Sequence, residues 1–196
     1  MIQTAKTEII DPLLNNITKV VNLTDEQQLL ISEAFTIRKL QKKEYLLEAG
    51  TVSNFLYFIS SGCLRAFTLE DDREVVTQFG MSGWCINDLP SYLNKQPAKQ
   101  FIQAIEPSVV LQIHRHRLEE LLEKVPPMER FLRIKFENAH AVLQERHLRA
   151  KTLTALERYE EFRLQYKDLE QRVPQYMIAS YLGITKEFLS HLRGSR

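Results

Sequence analysis

The apolar positions along the chain change their period twice. Over residues 9–35 (IIDPLLNNITKVVNLTDEQQLLISEAF) they recur at helical spacing, and an N-cap falls within LTDEQQ. From about residue 36 to 118 the pattern shortens into extended segments. FLYFIS, GCLRAFTL, EVVTQFG, QFIQAI and SVVLQI are rich in β-branched and aromatic residues, which suit a pleated, half-buried surface. Gly50, Gly62, EDDRE, FGMSG and KQP punctuate them as turns. Several short strands with regular turns predict an antiparallel β-barrel or jelly roll.

After EKVPPMERF the helical period returns and stays. Pro126 and Pro127 suit a helix start, where a missing N–H has no intrahelical partner to lose. Met128, Leu132, Phe136, Ala139, Leu143 and Ala150 follow at steps of three, four or seven, with His147 filling the gap. This stripe is about six turns long, more apolar face than a modest barrel can cover. The same helix of a second subunit would cover the rest. Leu132, Phe136, Ala139, Leu143 and His147 are therefore the expected face of a twofold homodimer. The alternative is a helix packed wholly on its own domain. A further helix, TLTALERYEEFRLQYKDL, starts at residue 152, and its LERYEEFRL segment reads as amphipathic with a solvated acidic face.

The last two dozen residues carry the most specific pattern. VPQYMIASYLGITKEFLSHLR divides into two short helices at Gly183. Glycine supplies the left-handed or close-packed backbone that ends the first, and Thr185 offers an oxygen to cap the second. Small Ala179, Gly183 four residues later and Leu189 six beyond that fall in helix-turn-helix register, with Ile178, Leu182, Ile184 and Leu192 as the supporting core. Lys186, Glu187, Ser190, His191 and Arg193 are then left outside. Glutamate accepts from the cytosine amino group, lysine donates to guanine acceptors and serine bonds to several edges. The first turn of such a helix enters the major groove, which favours Lys186 and Glu187. Gln175 and Tyr176 stand where phosphate contacts are made. A merely structural helical hairpin is the competing reading.

Bulk composition adds little to this. The 196 residues are 44% hydrophobic and 26% charged, as in an ordinary soluble globular protein, and a net charge of +1 gives no global attraction to nucleic acid. Residues 172–196 are different: Arg172, Lys186, Arg193 and Arg196 against Glu187 leave four minus one, or +3, where phosphates would lie. Cys63 and Cys85 form no Cys-x-x-Cys pair, so a structural zinc or iron–sulfur site lacks support, and both thiols are expected reduced and buried. His114 and His116 alternate in QIHRHRLEELL with no third ligand at metal spacing, which favours a polar strand end. Trp84, beside Cys85, reads as core, with lining of the effector pocket as the alternative. No nucleophile–base pair, catalytic carboxylate pair or phosphate-cradling glycine loop points to catalysis or a cofactor. The opening MIQTAKTEIIDP lacks a secretion signal's apolar core, and no uncharged run approaches the roughly 18 residues of a membrane helix. A cytoplasmic location with no membrane partner is expected.

Barrel, long helix and terminal helix-turn-helix in this order resemble the Crp/Fnr family of bacterial transcription regulators, from roughly residue 25 to the end. EAGTVSNFLYFISSGCLRAF looks like the family's barrel segment, with Gly50 and Gly62 as turn glycines and Tyr57 and Ile59 facing the core. IASYLGITKEFLSHLR is similar to its DNA-reading motif, with Lys186, Glu187 and His191 at base- and phosphate-contacting positions. The resemblance implies an α+β chain in three parts. Residues 1–125 would be a cyclic-nucleotide-binding-like sensor with N-terminal helices, 126–151 the dimerisation helix and 152–196 the helix-turn-helix domain. It implies double-stranded DNA, a second copy, a small-molecule effector and RNA polymerase as partners.

Two departures qualify that expectation. Where nucleotide-binding members grip the ribose with Gly-Glu, this chain has Asn87-Asp88, followed by Leu89; where they grip the cyclic phosphate with Arg-Ser or Arg-Ala, it has Ala98-Lys99. Losing the arginine removes a bidentate, always-charged fork, a bond worth about 1.5–3 kcal/mol. An effector other than cyclic AMP or cyclic GMP is expected, or none. Past the recognition helix, where family members continue into a β-hairpin wing, the sequence reads LRGSR. A motif without a full wing and a steeply salt-dependent DNA affinity are expected. The alternative function is a ligand-sensing or protein-interaction module that has lost DNA binding.

Overall fold

The computed structural model describes residues 2–194, and side chains from residue 7 onward. Two helices come first, α1 (Ile2–Thr18) and α2 (Asp25–Ala34). The N-cap foreseen in LTDEQQ is Thr24, paired with Gln27 in a reciprocal capping box. Seven strands follow: β1 (Thr36–Leu40), β2 (Tyr45–Leu47), β3 (Phe55–Ser61), β4 (Cys63–Glu70), β5 (Arg73–Met81), β6 (Phe101–Ala104) and β7 (Ser108–His114). α3 (Leu89–Asn94) interrupts them between β5 and β6. Six more helices follow among the described residues: α4 (Arg115–Lys124), α5 (Pro127–Thr152), α6 (Ala155–Gln165), α7 (Leu169–Arg172), α8 (Gln175–Leu182) and α9 (Lys186–Gly194).

The strands form two sheets, β1-β7-β3 and β2-β6-β4-β5. This is a jelly-roll-like sandwich; among the described residues the closed barrel is not formed. The reason is visible between β3 and β4, which are consecutive in the chain yet lie in different sheets. Gly62 turns that corner at φ +100°, and a Cβ there would meet Ser108 atoms at 2.2–2.7 Å. The Ser108 hydroxyl also accepts from the Cys63 N–H at 3.2 Å.

Strand alternation then builds two cores from one run. Tyr57 and Ile59 point between the sheets, where they meet Leu40, Leu64, Ala66, Ile102 and Val110. Leu56 and Phe58 point the other way, onto Ile10, Leu13, Ile31, Leu118 and Phe131 from the helices. Burial on both faces explains why FLYFIS is apolar throughout rather than alternating. Cys63 is buried, but Cys85 is exposed and Trp84 is 37% exposed. The expectation of a core tryptophan fails because Trp84 directly follows the turn at residues 82–83; Cys85 is exposed as a residue, yet its main chain bridges Phe58 and burial pushes its thiol up to about 11. QIHRHRLEELL is not only a strand end: His114 closes β7 and caps α4, which begins at Arg115.

Two compact units result. The first runs to Thr68 and resumes over Gln78–Lys135; the second takes Leu69–Thr77, the tip of the β4–β5 hairpin, together with the chain from Phe136 onward. α5 contributes to both.

Candidate nucleic-acid interface and effector segment

The α8–α9 pair is built as its residues dictate. Gly183 adopts φ +67°, ψ +37°, the left-handed cap that ends α8. The Ile184 N–H reaches back to the Ala179 carbonyl at 3.0 Å. Thr185 caps α9, its hydroxyl oxygen accepting from the Phe188 N–H at 3.1 Å. Ile178, Ala179, Leu182, Leu189 and Leu192 are all buried, and Ile184 is half-buried. The hairpin core is therefore closed with the residues that the spacing named.

Closure turns the polar positions outward. Lys186, Glu187, Ser190, His191 and Arg193 are exposed, as are Thr185 and Tyr176, while Gln175 is half-buried. With Leu189 and Leu192 inward, Glu187, Ser190 and His191 stand three and four residues apart on the opposite side of the helix. Glu187 lies in the first turn, where the helix N-terminus favours negative charge. Arg193 is partly committed: its guanidinium lies 3.8 Å from Glu170, which also takes a hydrogen bond from Arg163. The local excess of positive charge is correspondingly smaller than the count over 172–196 suggests, and Arg196 lies outside the described residues.

Aromatic residues that the sequence did not single out hold this hairpin in its unit. Phe162 of α6 and Tyr166, which caps that helix, pack around Tyr181 of α8. The Arg146 guanidinium from α5 sits 4.0 Å over the Tyr181 ring and donates to the Thr77 carbonyl. The Ser180 hydroxyl donates to the Glu74 carbonyl at 3.0 Å and accepts from the Val76 N–H at 2.9 Å. Burial would raise the Glu170 pKa, but hydrogen bonds from Tyr159 and Arg163 and the charges of Arg163 and Arg193 hold it below the usual carboxylate range.

The effector segment in the first unit has the opposite character. Asp88 is 3% exposed. One carboxylate oxygen accepts from the Ser91 N–H at 3.0 Å, capping α3; the other accepts from the N–H groups of Lys99 and Gln100 at 3.2 and 3.3 Å. The Asn87 side-chain carbonyl accepts from the Tyr57 N–H at 2.9 Å. Ala98 is buried, its main chain tied to Thr51 and Gly50 at 2.8 Å each. Leu89 packs on the helical core, and the Lys99 side chain points to solvent. Buried Arg115 donates to the Ser53 and Tyr92 carbonyls, and the Ser91 hydroxyl accepts from the Ser53 N–H. The five residues expected to line a pocket are thus brought together, with the main chain as partner of Asn87 and Asp88. A cleft of about 240 Å³ in this unit is lined by Arg38, Leu46, Thr51, Val52 and Tyr57, of which Thr51 and Tyr57 are bonded to Ala98 and Asn87.

Residues 37–125 match the cyclic nucleotide-binding domain family. The chain is 28% identical over 169 residues to the anaerobic regulatory protein of Pasteurella multocida, covering 80% of this chain and 61% of that protein. It is 28% identical over 169 residues to the fumarate and nitrate reduction regulatory protein of Vibrio cholerae, covering 80% and 67%. The solved structure of the c-di-GMP-responsive global regulator CLP from Xanthomonas campestris has the same fold, with a TM-score of 0.71 at 14% identity over 88% of this chain and 91% of that one. Residues 37–125 thus form a cyclic nucleotide-binding domain, and the chain as a whole is similar to regulators of the Crp/Fnr type. Its relatives are named as regulatory proteins, not as enzymes. The chain spans less than two thirds of the length of the anaerobic regulatory proteins it matches, 61% for that of Pasteurella multocida.

The long helix α5 divides its stripe in two. Met128 and Phe131 are buried in the first unit's core and Leu132 is half-buried against it. From Phe136 onward the helix stands open: Phe136 is 38% exposed, Leu143 61% and Leu148 60%, and Ala139 and His147 are exposed with them. Among the described residues there is no cluster of three or more His, Cys, Asp or Glu able to hold a metal, and no helix long and apolar enough to cross a membrane.

Proposed function

We propose that this chain is a dimeric, sequence-specific DNA-binding transcription regulator whose sandwich answers to something other than cyclic AMP or cyclic GMP. The observation that carries the DNA-binding part is the α8–α9 pair: a closed apolar hairpin whose second helix presents Lys186, Glu187, Ser190 and His191 outward. Lys186 and Glu187 read base edges from the first turn; Ser190 and His191 extend the contact, while Thr185, Gln175 and Tyr176 lie along the phosphates. Arg193 supplies charge when it leaves Glu170. The open face of α5 supports pairing with a second copy, since a stripe with Leu143 and Leu148 more than half exposed gains by being covered. Two such subunits place recognition helices in successive major grooves about 34 Å apart. The effector then acts by preferring one arrangement of the paired helices.

The nucleotide part follows from Asp88. A carboxylate whose two oxygens already take three main-chain donors has little left for a ribose, and buried Ala98 replaces the guanidinium that a cyclic phosphate needs. The test is selection of duplexes by the full chain from a randomised library, followed by a salt titration. Enrichment of a roughly palindromic site with half-sites one helical turn apart is expected. Recovery of no preferred sequence would favour a sensing or protein-interaction module without DNA binding.

A further inference from the structure

Of the three large apolar side chains of α9, Leu189 and Leu192 are buried and Phe188 remains 43% exposed. It stands in the first turn, directly after Lys186 and Glu187. Its own N–H is the donor taken by the Thr185 cap, so the backbone from which the ring projects is pinned. A phenylalanine has only two side-chain torsions left to order on binding, which makes it an inexpensive contact residue.

We infer that Phe188 is a specificity residue of the DNA reader and recognises thymine through its 5-methyl group. The inference rests on the DNA-binding proposal above. Of the four bases, thymine alone carries an apolar substituent on its major-groove edge, and phenylalanine is among the side chains whose contact suits it. Lys186 and Glu187 address guanine acceptors and the cytosine amino group; neither charge gains from a methyl. The exposed ring, on the flank of the same first turn, supplies the apolar contact that the polar residues lack. A half-site therefore combines a G·C pair read by polar contacts with an A·T pair read by apolar contact.

The probe is the duplex enriched from the random library, with each thymine replaced in turn by deoxyuridine. That exchange deletes the methyl and leaves pairing and groove acceptors intact. Burying one methyl is worth about fourfold in affinity. Binding of the full chain, followed by fluorescence anisotropy, is expected to weaken by about that factor at one thymine per half-site. Phe188→Ala is expected to bind both duplexes equally, and Phe188→Leu to keep part of the distinction. Wild-type indifference at every thymine, or a Phe188→Ala chain that still loses fourfold on deoxyuridine, would overturn the assignment. Failure to enrich any sequence would overturn it together with the DNA-binding proposal, and is distinguishable because no duplex would then exist to substitute.

Discussion

Asp88 and Glu187 differ by one methylene, and the resemblance to Crp/Fnr regulators leads to the expectation of a ligand contact at both. Their surroundings are opposite. Asp88 is buried and its oxygens receive three main-chain N–H groups from α3 and from the loop before β6. Glu187 is exposed at the start of α9, with its helix held from behind by Leu189 and Leu192. A carboxylate whose bonding capacity is spent inside holds the chain together; one held outward on a rigid helix can discriminate between partners. In the terminal hairpin, Ile178, Ala179, Leu182, Leu189 and Leu192 close the core, and polar groups and Phe188 are left over. In the 87–100 segment, polar groups do the closing.

That contrast is sharpest under mutation. Asp88→Ala strands three main-chain donors, each of which carries its own desolvation penalty. It is expected to cost about 3 kcal/mol or more of the first unit's stability, read as a lowered urea midpoint. A loss within about 0.5 kcal/mol, the range of ordinary surface changes, would show that the segment does not depend on this cap. Glu187→Ala should leave the urea midpoint unchanged and cost about 1–3 kcal/mol of discrimination at one base pair per half-site. Equal weakening on every sequence would remove Glu187 from base reading.

A smaller effect separates the two units by pH. The Glu170 pKa is lowered in the folded chain, so its ionised form contributes stability above the unfolded carboxylate pKa, and that contribution is lost as pH falls through the folded value. Glu170→Gln is expected to cost about 1 kcal/mol at neutral pH. The difference from wild type should shrink as pH falls below the ordinary glutamate range. A difference that stays constant with pH would mean that packing, not charge, accounts for it.

These regions were unequally legible in the sequence. The hairpin could be read because Ala179, Gly183 and Leu189 are selected by local geometry: close approach, a left-handed cap and an inward branched side chain. β3 could be read because a strand buried on both faces is apolar throughout. α3 could not, since six residues following Asn87-Asp88 give no period, and it is held by Asp88 and by Ser91 through partners that are distant in sequence. The clasp of Ser180 on Glu74 and Val76 was equally hidden, because it joins residues about a hundred positions apart. Phe188 was passed over because position alone does not distinguish an exposed ring from a core one.

The most direct measurement is amide hydrogen exchange on the full chain, alone, with the enriched duplex and with cyclic AMP. The account predicts slowed exchange over residues 184–193 with the duplex and an unchanged 87–100 segment at millimolar nucleotide. Protection of 87–100 by the nucleotide, with 184–193 indifferent to the duplex, would contradict it.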